Sequence, residues 1–450
     1  MINTSTLVIL LLCLLNVVLS KPLSIVILGA SGDLAKRKIY PSLLQMYKTK
    51  VLPEEFNVIG YARSDLTDED IKKNIEPFIS KEDLSSPFFD HLHYVKGSYN
   101  QAQDFINLSE KLTSYEAGVS TDRLFYFSLP STVFLEVAQN LNKHTRTSSG
   151  YNRIVVEKPF GKNTETFKEL SEGLNQNFKQ EEIYRMDHFL GSSIVKNILQ
   201  TRFDSKYEKL WDAKHIKAIQ VVFKETLDVE GRGGYFDEYG IIRDMVQSHL
   251  MQITTLLTMD KPINASDIVN KKIDVLNYIQ DLSQQDTVLG QYKGYPEDKS
   301  VHNPNTTTDT FASMVLHINS KRWEGVPVLI KVGKGLNKFL FELSVEFMDG
   351  EDVRINAGDD SLQYALLIAK ILNGDQSSFA TEKEIASSWR ILESVLKRID
   401  AHTHKPIVYP LGGVGPSESD DLARRYGTKW IDQETNQSKL AGSLYLRSQK

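Results

Sequence analysis

Ser24-Ile-Val-Ile-Leu28 is a short apolar run that stops at Gly29. Apolar at nearly every position and too short for a helix, it predicts a strand of a parallel sheet, buried on both faces. Gly29-Ala30-Ser31-Gly32-Asp33-Leu34-Ala35 follows, then a helical pattern through Leu43 and Tyr47. Small residues between a buried strand and a helix let the backbone approach a pyrophosphate, and the free N–H groups of the helix N-terminus point at it. A glycine pair alone also suits a merely tight turn. The strand-turn-helix setting favours dinucleotide binding.

Further strands are expected at Phe56–Tyr61, Leu124–Leu129 and Arg153–Glu157, alternating with helical patterns. This alternation predicts an α/β, Rossmann-like dinucleotide-binding domain over residues 21–195. After residue 200 the pattern changes. Ile216–Phe223, Phe311–Ile318, Val326–Val332 and Leu340–Phe347 read as strands without a helix after each. Helices are expected at about Tyr239–Met259, Ser361–Leu372 and Ile385–Ile399. Residues 196–450 therefore read as an α+β domain with a mostly antiparallel sheet.

The chain has 450 residues and a net charge of -5, a size that suits two domains and a charge without the basic bias of a nucleic-acid binder. Leu7–Leu15 is an apolar run of signal-peptide length, too short to span a bilayer. Residues 1–20 are expected to be a cleaved signal, with an uncleaved anchor as the alternative; the segment before the run carries no Lys or Arg. No membrane association is expected after cleavage. Sequons at Asn107, Asn264, Asn305 and Asn436 are compatible with a secretory glycoprotein, in the endoplasmic reticulum lumen or secreted. The one cysteine, Cys13, lies in the expected signal, so no disulfide or thiolate metal site is expected, nor any other metal site.

Four stretches carry candidate chemistry. Arg63 stands just past the second strand, where an acidic residue would accept the ribose hydroxyl of NAD and an arginine accommodates the 2′-phosphate of NADP; an ordinary surface arginine is the alternative. Lys158, in Glu157-Lys158-Pro159-Phe160-Gly161, follows a strand end, where ligands of open α/β sheets lie. Arg185-Met186-Asp187-His188-Phe189-Leu190-Gly191 puts a cation, a carboxylate and an imidazole within four residues. Gly231–Gly240 is a glycine-rich loop entering a helix with Asp244 and His249; by itself, His249 lies close enough to the apolar stripe to be a core histidine.

Joined in this order, the stretches closely resemble the glucose-6-phosphate dehydrogenase family. Gly29–Lys36, Gly60–Ser64, Glu157–Gly161, Arg185–Gly191, Gly231–Gly240 through His249, Gly333-Lys334 and Gly412–Ser417 all match. The resemblance implies NADP-dependent oxidation of the C1 hydroxyl of glucose 6-phosphate to the lactone, a pentose phosphate pathway reaction of glucose metabolism. It implies His249 as general base and Asp187 as the carboxylate that orients it. Lys158, His188, Glu225, Asp244 and Lys334 match substrate-binding residues. Gly29, Ala30, Ser31, Gly32, Asp33, Leu34, Arg63 and Lys158 are the expected cofactor contacts.

Three positions depart from the family pattern. Phe189 and Ser192 stand where the family usually has a tyrosine and a lysine facing the substrate phosphate, and Phe339 where it has a substrate-binding arginine. A lost charge-assisted phosphate contact typically costs about 1.5–3 kcal/mol. Between Leu340 and Ser361 the family also has further strands, so the sheet is expected to be shortened near 341–360 and homo-oligomerisation, which the family achieves through that sheet, is in question. The alternatives to a glucose-6-phosphate dehydrogenase are a secreted hexose dehydrogenase with a relaxed phosphate requirement, or a non-catalytic derivative that binds NADP.

Overall fold

Leu23–Leu28 (β1) is buried along its whole length in the computed structural model, which describes residues 21–229 and 231–433. The expected signal with Cys13, and the sequon at Asn436, lie outside the described residues. The chain divides into two compact units.

In the first unit, β1 pairs in parallel with Phe56–Ala62 (β2) and Asp122–Phe127 (β4). Leu92–Lys96 (β3) extends the sheet beyond β2, and Asn152–Glu157 (β5) and Ile183–Met186 (β6) extend it beyond β4. The resulting order, β3-β2-β1-β4-β5-β6, is the doubly wound arrangement expected, with its direction reversing between β1 and β4. Two strands of this unit escape sequence reading. β3 is a half-exposed edge and β6 spans four residues, so neither gives a clear period.

Helix Tyr40–Lys48 packs Leu43 and Leu44 into a core with Ile25, Ile27, Leu124, Tyr126 and Val155. Tyr364, Leu367, Ile368 and Ile371 belong to the same core. The compact units thus cut across the expected division at residue 195 through this later segment. Leu362–Ala380 packs with the first unit, because helix Gln363–Leu372 buries its apolar side chains in that unit's core. Arg153 Nη1 also donates to the carbonyls of Ile371 and Leu372 at 2.6 and 2.8 Å, which caps that helix.

The second unit comprises Lys162–Thr166, Ser192–Ser361 and the chain from Thr381 on. Its strands are Ile216–Lys224 (β7), Thr287–Tyr292 (β8), Phe311–Leu316 (β9), Val328–Gly333 (β10), Leu340–Phe347 (β11), Asp352–Asn356 (β12) and Ile407–Tyr409 (β13). They form one sheet in the order β12-β11-β7-β10-β9-β8-β13. Four pairings are antiparallel, while β7–β10 and β8–β13 are parallel, so the sheet is mixed and mostly antiparallel as expected. The 341–360 stretch is a closing hairpin of β11 and β12 at the sheet edge.

The C-terminal segment packs on this sheet. Leu422, Ala423, Trp430 and Ile431 pack with Ala218, Val222, Val315 and Leu329. Helix Glu382–Asp400 begins at a capping box, Thr381 with Glu384, and ends near Lys397 and Arg398, as its terminal dipoles favour.

Candidate active site

Parallel strands in register deliver their next residues side by side. Leu28 lies beside Tyr61 of β2 and Phe127 of β4. The residues leaving the carboxyl ends are therefore Arg63, Gly29, Ser128, Lys158 and Asp187, in the spatial order of β2, β1, β4, β5 and β6. Four of these five are sequence-predicted site residues, and the fold places them along one edge of one sheet.

Gly29 has φ +87°, and a Cβ there would lie 2.0 Å from the Ser128 carbonyl oxygen. Only glycine fits. Gly32 N–H donates to the Gly29 carbonyl at 2.8 Å, closing the turn. Ala30 is buried, Ser31 and Leu34 are half-buried, and Asp33 is exposed in an ion pair with Arg37. Ser31 and Ser64 hydroxyls meet at 3.1 Å, joining the turn to the end of β2. Exposed Arg63 holds its guanidinium 5.5 Å from the ring centre of Tyr99. The buried Ser128 hydroxyl has no partner among the described residues and lies beside Gly32. A backbone cradle without room for a side chain, an unbonded hydroxyl and an exposed arginine fit a dinucleotide phosphate. Sequence reasoning missed Ser128 and Tyr99. The sequence places Ser128 inside the expected strand Leu124–Leu129, whereas β4 ends at Phe127 and leaves Ser128 at its carboxyl end.

Lys158 follows Glu157, whose carboxylate accepts from Tyr126 Oη at 2.6 Å. Burial pushes the Glu157 carboxyl up to about 7, helped by Asp187 and opposed by the Tyr126 hydrogen bond and Lys158. Asp187 itself is 1% exposed, and one of its oxygens accepts from the Phe189 N–H at 3.1 Å. Arg185 is buried and reaches Ser171 and Gln180, both at 3.2 Å, which suits a structural role. His188 lies 3.3 Å from Gln363 Oε1 and stacks on Tyr364.

Ser192 begins the longest segment of the second unit and precedes helix Ser193–Arg202. The N–H of Ser193 donates to Asp360 Oδ1 at 2.6 Å, and Ser193 Oγ accepts from Gly358 N–H at 2.6 Å. The short connection after β12 thus lays a carboxylate on that helix N-terminus. Burial raises the Asp360 carboxyl, while its bonds to Ser193 lower it.

The same register logic builds the other candidate cluster. β7 and β10 are parallel, with Gly333 beside Lys224. Glu225 and Lys334 follow them, and Lys334 Nζ lies 2.6 Å from Glu225 Oε2 and 4.0 Å from Asp244 Oδ2. Burial pulls the Lys334 ammonium down, but Glu225 and Asp244 outweigh it and leave it above its ordinary value.

Asp244 and His249 share a π-helical stretch, Ile242–Leu250, where the sequence predicts part of one regular helix. Gly240, at φ 65° and ψ 172°, kinks the chain before it. Five residues cover about 1.4 turns of an α-helix and would turn Asp244 and His249 to different sides. In i→i+5 winding the same spacing is about one turn. His249 is 1% exposed. Phe339, in place of the expected arginine, packs edge-on against Phe223 at 5.9 Å.

Both halves of the chain match models of one family: glucose-6-phosphate dehydrogenase, NAD binding domain, over residues 26–197, and glucose-6-phosphate dehydrogenase, C-terminal domain, over 199–361 and 348–431. The chain belongs to the glucose-6-phosphate dehydrogenase family. A cytoplasmic isoform of glucose-6-phosphate 1-dehydrogenase from Solanum tuberosum is 36% identical over 469 residues, covering 90% of this chain and 92% of the relative. Glucose-6-phosphate 1-dehydrogenase 2 of Mus musculus is 34% identical, covering 90% and 91%. A solved glucose-6-phosphate dehydrogenase in complex with its substrate glucose 6-phosphate superposes with a TM-score of 0.84 at 30% identity, over 91% of this chain and 99% of that one. The glucose-6-phosphate dehydrogenase fold is thus shown from strand order to comparison, and the first unit is its nicotinamide dinucleotide-binding domain.

Proposed function

We propose that this chain is an NADP-dependent oxidoreductase that oxidises the C1 hydroxyl of glucose 6-phosphate to the lactone. The observation that carries this reading is the buried Lys334, held between Glu225 and Asp244, on elements that also present His249. Alternating carboxylates and an ammonium are the donors and acceptors that a sugar ring's hydroxyls require. Family membership and the likeness to the substrate-bound structure support the substrate.

His249 takes the proton of the anomeric hydroxyl, and Asp187 is the carboxylate that orients the imidazole and offsets its charge. Glu225, Asp244 and Lys158 hold the sugar, and His188 takes the phosphate. A nicotinamide bound by the first unit would supply the acceptor for the hydride leaving C1. Gly29–Leu34 cradle the cofactor's phosphates and Lys158 touches it, while exposed Arg63 selects NADP over NAD by meeting the 2′-phosphate. His249→Asn tests the base: NADPH formation should fall about a hundred- to ten-thousand-fold. Turnover left intact would remove His249 from the mechanism.

A second reading has its own support. Phe189 and Ser192 lack the charge and hydroxyl of the family's usual phosphate ligands, and Asp360 puts a carboxylate on the next helix N-terminus. These features favour a hexose dehydrogenase with a relaxed phosphate requirement.

Residence in the secretory pathway is part of the proposal. Its support is the apolar run Leu7–Leu15 together with the exposure of Asn107, Asn264 and Asn305.

A further inference from the structure

Thr306–Thr310, the segment leading into β9, ties together two elements that the proposed function uses. On one side, Thr308 Oγ1 donates to the Asp237 carbonyl at 2.9 Å, and the Asp309 carbonyl accepts from Ile241 N–H at 2.9 Å. Ile241 is the residue between the Gly240 kink and the π-helical stretch that bears Asp244 and His249. On the other side, the Thr310 carbonyl accepts from Lys334 N–H at 2.9 Å. Tyr409 Oη donates to the Lys334 carbonyl at 2.7 Å and meets Thr310 Oγ1 at 2.9 Å. Two successive residues, Asp309 and Thr310, thus fix the start of the His249 helix and the backbone of Lys334.

Asp309 is itself held from behind. Its carboxylate oxygens lie 2.9 and 3.1 Å from His404 Nε2, and both side chains are 2% exposed. The other imidazole nitrogen, Nδ1, is buried with no partner among the described residues. A single bonded nitrogen facing a carboxylate makes Nε2–H the donor. A buried carboxylate stripped of its donor is costly, so the backbone of Asp309 would move to rehydrate it. Any such shift is passed to Ile241 and, through Thr310, to Lys334.

We infer that Asp309 and His404 are a buried positioning pair that sets the His249 helix and Lys334 in register for turnover without touching substrate. The inference rests on the reading of His249 and Lys334 given under the proposed function. Neither residue is in the cofactor-binding unit, so cofactor affinity is not involved.

The test uses the full chain and compares wild type with His404→Phe, Asp309→Ala, the double variant and His404→Gln. Each disruptive single variant should lower kcat with glucose 6-phosphate by about tenfold or more while leaving the NADP dissociation constant unchanged. The double variant should lose no more than the worse single one, because both act through one contact. His404→Gln, which keeps an N–H donor for Asp309, should recover most of the loss. Amide hydrogen exchange at Ile241 and Lys334 should quicken in the disruptive variants and not in His404→Gln. If His404→Phe does not fold, Asp309→Ala carries the same comparison. Folded disruptive variants with wild-type kcat, or a glutamine variant as poor as phenylalanine, would overturn the proposal. A wild type that forms no NADPH contradicts the functional reading instead, and the exchange at Ile241 and Lys334 still decides whether the pair holds the segment.

Discussion

Glu157 ends β5 with a buried carboxyl pushed up to about 7, mainly by burial. The folded state therefore holds its proton more tightly than the unfolded chain, whose carboxyl titrates near 4.5. Its contribution to stability is complete below that lower value and is lost as pH rises through about 7. A proton held that much more tightly in the folded state is worth on the order of 3 kcal/mol. The melting temperature of wild type should fall relative to Glu157→Gln as the pH is raised across this range, and parallel curves would contradict the assignment. Gly29 offers a second single-residue test. Gly29→Ala puts a methyl group onto the Ser128 carbonyl and strains a positive φ, so NADP binding measured by calorimetry should weaken by at least about tenfold. Unchanged affinity would remove this turn from the cofactor site. Gly29, Arg63 and Lys158 were legible as candidates at this scale because each lies at a strand end, while Glu225, Lys334 and the catalytic role of His249 came only through the family resemblance. Ser128, Asp309 and His404 were not legible, since an isolated serine or a histidine far along the chain from its aspartate leaves no local pattern.

At the scale of elements, the helix bearing His249 is where sequence reading and structure diverge most. The apolar positions Ile242, Met245, Val246, Ile253 and Leu257 read as one α-helical stripe, yet the chain kinks at Gly240 and winds as a π-helix to Leu250. Hydrophobic period cannot separate these windings over so short a span, because tertiary bonds such as Ile241 to Asp309 decide between them. Gly240 sits in a region of backbone space that is essentially glycine-only. Gly240→Ala has room for its methyl group, 3.4 Å from Thr308 Cγ2, so any effect comes from backbone strain. Urea unfolding should show a loss of roughly 1–3 kcal/mol. Turnover should fall as the helix leaves its register, and wild-type stability and turnover would show that the kink is not needed. The longer buried parallel strands β1, β2, β4 and β5, by contrast, were legible to within about two residues. Continuous apolar runs bounded by glycine or charge admit few other readings.

Across the whole molecule, the doubly wound unit and the mostly antiparallel sheet follow from whether a helix intervenes between strands. The packing of Leu362–Ala380 with the first unit does not follow, because no local pattern reveals the core it joins. The described chain ends in a buried charge cluster. Asp432 accepts from Lys224 at 2.6 Å and from Lys331 at 3.0 Å, and all three side chains are buried. Asp432→Ala would strand two buried ammonium groups and should cost about 3–5 kcal/mol in denaturant unfolding. A loss below about 1 kcal/mol would show that solvent already reaches the cluster. The central claim, oxidation of a phosphorylated hexose through a phosphate site with reduced grip, is tested most directly by one kinetic comparison. It is kcat/KM for NADPH formation from glucose 6-phosphate and from glucose, in wild type and in Ser192→Lys. Glucose 6-phosphate should be the faster substrate in wild type, and Ser192→Lys should widen its lead by roughly ten- to a hundredfold. Equal or reversed preference in wild type would contradict the account.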